Sequence, residues 1–162
     1  MYLAEQMKIV PVASGYDLST DDTLMTLDSI NMAGFHHCTF LVQWATISTA
    51  SPLLYVWSGA TDGALTSAIT FNYAWASAAA LAADADVLGA WSTSAALTIT
   101  HGTYDNYLLV IEVPASLMDM ANNENWLTIN LTDPTSGCTG NVTVTAILQA
   151  RYPGNQSVTA LE

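Results

Sequence analysis

Apolar and polar residues alternate along most of this chain at the two-residue period of a β-strand. The densest run is residues 106–114. Tyr107, Leu109, Ile111 and Val113 share one face, and Leu108 and Val110 make the other face apolar too. A strand apolar on both faces is either central in a packed sandwich or partly covered by another chain. Pro114 has no N–H to give a ladder, so it ends the strand. Residues 115–120 read as one helical turn or a compact loop. Residues 126–132 alternate again and are expected to return beside the first strand.

The same period recurs through the rest of the chain. Residues 37–47 place Cys38, Phe40, Val42 and Trp44 on one face. Residues 68–75 place Ile69, Phe71, Tyr73 and Trp75 inward, with Thr70 and Asn72 outward. Residues 141–150 align Val142, Val144, Ala146 and Leu148. Residues 23–30, 52–59 and 97–101 complete the set, with turn chemistry at 14–17, 31–34, 59–63, 102–106 and 133–137. Residues 6–11 read as an edge strand or an arm stopped by Pro11. The alanine-rich segment 76–90 carries only Leu81 and Leu88 as an apolar stripe, so a loop with at most two helical turns is expected. About eight short strands predict an all-β fold, an antiparallel β-sandwich that is jelly-roll-like. At 162 residues this is one domain, with an arm over about residues 1–11 and a short tail over about residues 152–162.

Composition narrows the function. Charged residues make up only 10% of the chain, and Lys8 and Arg151 are the only Lys or Arg against 14 acids, for a net charge of -12. Too few cations are present to replace phosphate counterions, so nucleic acid is excluded as a partner. An anionic membrane surface is excluded on the same ground. No stretch is long and apolar enough to span a bilayer as a helix, and no signal-peptide pattern is expected. Cys38 and Cys138 are expected as free, buried thiols.

The common catalytic motifs do not occur, and no catalytic, cofactor or metal residue is assigned. Several clusters hold side chains capable of such chemistry. His36 and Cys38, two apart on a strand, would face one metal, with His101 and Cys138 as further ligands only if the fold brought them near. Asp17, Asp21 and Asp22, and also Asp84 and Asp86, are oxygen-rich loops of the kind that hold hard cations, and equally ordinary solvated acids. Glu112 and Glu124 would be the carboxylate pair of a glycosidase; alternatively Glu112 lies on the sheet surface, or meets Arg151 or a partner cation. Five tryptophans would form a sugar platform if exposed, or core and interface anchors if buried. Three sequon matches begin at Asn130, Asn141 and Asn155, as chance allows in so Asn- and Thr-rich a chain.

Four stretches resemble the small decoration, or cement, proteins of tailed-bacteriophage heads. They are residues 1–5, residues 86–90, residues 107–116 with the Val-Ile-Glu-Val core, and residues 150–154 just after the last strand. The resemblance implies a virion structural protein on the capsid exterior, made in the host cytoplasm. Its partner would be the major capsid protein, it would be a homotrimer, and it would be neither an enzyme nor a cofactor binder. On that reading Tyr2, Leu3, Met7, Ile9 and Val10 form the capsid-contacting arm. Leu108, Val110, Glu112, Arg151 and Tyr152 contact a neighbouring subunit. The other reading is a carbohydrate-binding or adhesin-like sandwich on a virion or cell surface. A hydrolase using Glu112 is the third.

Overall fold

A computed structural model describes residues 6–19, 24–133, 137–152, 154 and 159–161. In chain order the strands are β1 (Met7–Asp17), β2 (Met25–Asn31), β3 (Phe35–Trp44), β4 (Leu53–Gly59), β5 (Ser67–Ala68), β6 (Phe71–Trp75), β7 (Ser92–Ser94), β8 (Leu97–Thr98), β9 (Leu108–Pro114), β10 (Trp126–Thr132) and β11 (Asn141–Ala150). They form two open sheets, ordered β1-β11-β3-β9-β6-β7 and β2-β10-β4-β5, with β8 also on β4. Every pairing is antiparallel.

The pairing is nested. β1 pairs β11, β2 pairs β10, β3 pairs β9 and β4 pairs β8. The first and third of these pairs lie in one sheet, the second and fourth in the other. A long hairpin rolled up in this way is a jelly roll. The expected eight strands are those of the roll. The other three, β5 to β7, belong to the segment between β4 and β8, and β6 and β7 extend the first sheet beyond β9.

Strand alternation drives the packing. Phe40, Val42 and Trp44 of β3, Leu109, Ile111 and Val113 of β9, and Val144, Ala146 and Leu148 of β11 are buried from the first sheet. Leu54 and Val56 of β4 and Leu127, Ile129 and Leu131 of β10 meet them from the second. Each Val, Leu, Ile or Phe among them taken from water contributes about 1.5–3 kcal/mol. Both thiols are free and buried. Gly140, at φ +134°, lies so close to Thr46 and Ile47 that a Cβ would stand 2.5 Å from the Thr46 carbonyl oxygen. Only glycine fits that position.

Four expectations change. β10 does not return beside β9; it lies in the opposite sheet between β2 and β4. It is buried from Trp126 to Leu131, more continuously than β9. Pro11 does not stop the first strand. β1 lies at the edge of its sheet, where a missing N–H costs no ladder bond, and the chain absorbs the ring in a register shift between Pro11 and Ala13. Residues 7–11 are therefore a paired edge strand and not an arm. Residues 99–101 do not extend β8. At the other end, Ala160 is buried and its carbonyl accepts the Asn31 N–H, so part of the expected tail packs onto the roll. Segment 76–90 is a loop, closed at its base by an Ala76–Leu88 bridge.

Candidate functional site

The outer face of the six-stranded sheet carries one continuous rung across all its strands. Ile9 of β1, Ile147 of β11, Thr39 of β3, Glu112 of β9, Asn72 of β6 and Thr93 of β7 stand side by side. In β3, β9 and β11 alternation puts them there, because their chain neighbours are buried in the core. At the centre Glu112 is half-buried. Its Oε2 accepts the Thr39 hydroxyl at 2.9 Å and meets Nε2 of His37. The other oxygen, Oε1, has no partner among the described residues. Asn72 is exposed on the far side of Glu112. Trp91, 51% exposed just before β7, completes the wall of an open cavity of about 410 Å³ lined by His37, Asn72, Trp91 and Glu112.

Beside this cavity the chain leaves the sheet as a long apolar excursion. From Ala80 to Thr93 every residue except Ala85 is exposed. Leu81, Val87, Leu88 and Trp91 are half of the large apolar side chains left exposed among the described residues. Leu81 is fully exposed and sits at φ +72°, a left-handed conformation that costs a branched residue about 1–2 kcal/mol. Two staples hold the neighbouring part of the insertion to the roll. Buried Glu124 accepts the Ser58 hydroxyl at 2.6 Å and the Ser67 hydroxyl at 3.1 Å, joining β4 to β5. The Gly63 N–H donates to Ser29 Oγ on β2, which itself pairs with Thr128 of β10.

A second cavity, of about 560 Å³, opens at the end of the sheet between His36, Arg151 and the turns that follow β9. Arg151 is fixed there by its own N–H on the Gly34 carbonyl and by Nε on the Phe35 carbonyl.

The sequence candidates scatter over this framework. Tyr2 and Leu3 lie outside the described residues. Of the remaining arm set, Ile9 is exposed, Met7 is half-buried, and Val10 points into the core at 2% exposure, which removes it as a contact. Val110 is likewise covered by its own chain, its neighbours on the face being Leu41 and Ala74. Leu108 and Arg151 are half-buried, and Tyr152 is exposed.

His36 and Cys38 do not share a face. A register shift where β3 meets β11 at Gln149–Ala150 interrupts the alternation, so His36 is exposed while Cys38 is buried. Among the described residues no three His, Cys, Asp or Glu side chains gather to hold a metal. Burial, then the Glu112 charge, pushes the Cys38 thiol well above its usual range. Burial, then Asp133, raises Cys138 to about 11. Asp17 turns back on itself: its Oδ1 accepts the Ser19 N–H and hydroxyl, which hold its pKa down. Asp21 and Asp22 lie outside the described residues, and Asp84 and Asp86 are exposed. Glu112 and Glu124 are not a pair, since one bonds within the first sheet and the other bonds Ser58 of the second. Asn130 is buried and its amide donates to the Met25 carbonyl, so its sequon is closed.

Trp44 and Trp126 are core residues, Trp57 and Trp75 are half-buried, and Trp75 stacks on Tyr104 at 3.9 Å. Trp91 alone among the five is exposed. Sequence reasoning placed Asn72 outward and singled out Glu112, but it gave Trp91 no position, because no strand register runs through residues 76–91. Comparison of the chain with protein-family models, with curated proteins and with solved structures found no match.

Proposed function

We propose that this chain is a structural virion protein that decorates the outer surface of a tailed-phage capsid and stabilises the head by adhesion, as a homotrimer. The observation that carries the reading is the apolar excursion over residues 80–91. Four large apolar side chains and a run of alanines stand in water on a rigid jelly roll. Exposed apolar surface of this kind on a folded domain marks a protein contact. The four-stretch resemblance to head decoration proteins supplies the setting.

Adhesion of this kind needs shape and apolar area rather than turnover. A contact of about 1,000 Å² suffices for a specific interface, and many symmetry-related copies on one shell add avidity. Leu81 and Leu88 are the anchors on the shell side. Leu108 and Tyr152 contact the neighbouring subunit, and Arg151 does so through whatever part of its guanidinium the Phe35 carbonyl leaves free.

The test is reconstitution. Shells lacking the protein, incubated with it and heated, should burst at a higher temperature, and Leu81→Asp together with Leu88→Asp should abolish both binding and protection. Shells that bind neither the natural chain nor the variant would end the reading. Light scattering on the free chain checks the trimer; a monomer at all concentrations removes that part.

A further inference from the structure

The cavity of about 410 Å³ on the outer face of the first sheet shares Trp91 with the apolar excursion, but His37, Asn72 and Glu112 of its wall belong to the sheet. We propose that it is a binding site for a neutral saccharide, with Trp91 as the stacking platform and Glu112 and Asn72 as the hydroxyl-binding groups.

Three observations converge. Trp91 leaves half of its surface in water at the rim of the cavity. A sugar ring has one face of C–H groups that covers an indole well, and an aromatic with one wet side suits such a mixed ligand. Glu112 and Asn72 stand opposite one another on paired strands, about 4.8 Å apart along the sheet. Two neighbouring ring hydroxyls span that distance with one hydrogen bond to each. Glu112 Oε1 and the Asn72 amide are both without protein partners among the described residues. The cavity volume lies in the range of about 300–1,000 Å³ usual for small-molecule sites.

The same geometry selects against other ligand classes. An anion would face Glu112 on a chain of net charge -12. An apolar ligand would strip water from the carboxylate and the amide without replacing their hydrogen bonds. A cation is less needed than it first looks, because Glu112 Oε2 already meets His37 and accepts from Thr39. Those two groups hold Oε2 and leave Oε1 for a ligand. Thr39 and His37 are thus positioning residues, and Trp91, Asn72 and Glu112 touch the sugar.

The experiment uses the full chain on an array of neutral and sialylated glycans. Nuclear magnetic resonance titration of the tryptophan indole N–H signals with the best neutral glycan follows. One signal of the five should move, and it should be the one missing in Trp91→Ala. That variant should bind at least about tenfold more weakly, and Glu112→Gln severalfold more weakly. Trp91 is exposed and Gln keeps the size of Glu112, so both variants should keep the natural far-ultraviolet spectrum. Leu81→Asp should bind the glycan normally, which separates this site from attachment to a shell. A blank array, glycan binding unchanged by Trp91→Ala, or a Trp91 signal moved by acetyl-lysine amide and by no neutral glycan would each overturn the proposal.

Discussion

The roll and the insertion it carries are built on opposite rules. In the roll, β3 from His37 onward and β11 alternate, and their inward residues are buried. Between β4 and β8 the strands shrink to two, five and three residues. There the chain leaves Leu81, Val87, Leu88 and Trp91 in water. The roll gains stability from burial. The insertion gives part of that up, and a backbone held at φ +72° at Leu81 adds to the cost. Surface that is costly to leave exposed is the natural place to look for contact with something else.

Removing core volume tests the first half of that contrast. Phe40→Ala, at a fully buried position in the roll, should cost about 3–5 kcal/mol in urea unfolding. Roll and insertion should unfold together, because β6 and β7 are hydrogen-bonded to the roll through β9. Separate transitions would mean that the insertion is an independent unit.

A smaller effect should separate the two regions. Glu124→Ala leaves the Ser58 and Ser67 hydroxyls without their acceptor, which should cost about 1–3 kcal/mol. Hydrogen exchange should speed up at β5 well before it changes at β9 or β11. Equal acceleration everywhere would deny Glu124 its role as a staple.

Alkaline pH probes the roll alone. Cys38 and Cys138 keep their protons in the folded chain at pH values where an unfolded thiol, with a pKa near 9, loses its own. Their contribution to stability is therefore whole below about pH 9 and is lost as the pH climbs through the raised values of the two folded thiols, about 11 for Cys138. Urea midpoints should fall across that window, and the fall should flatten in the double variant Cys38→Ala, Cys138→Ala. The smallest expected change lies at the tip of the insertion. Leu81→Gly relieves the left-handed strain but adds freedom to the unfolded chain, for a net gain of roughly 0.5 kcal/mol. A loss of stability there would mean that the leucine packs on its own chain.

How far the sequence carries this picture differs residue by residue. Cys38, Phe40, Val42 and Trp44 could be placed on one inward face from spacing alone, and so could the outward Asn72. His36 could not, because a single extra residue against β11 shifts every side chain before it, and nothing local marks the bulge. Alternation marks β10 as a strand but not its sheet, since a period of two fixes faces and says nothing about neighbours. Val10 and Val110 were misjudged as contacts for a related reason: apolar residues look the same whether their own chain or a partner covers them.

By itself, the sequence determined that this is a β-sandwich of free thiols and high acidity, and which residues of each strand share a face. Those are local properties, set by backbone pleat and composition. Only the tertiary structure decided that Thr39, His37, Glu112, Asn72 and Trp91 meet around one cavity. They come from strands β3, β9 and β6 and from the approach to β7, separated by up to 75 residues along the chain. Their meeting depends on which strands pair and in what register, and that choice is made by burial summed over the whole roll.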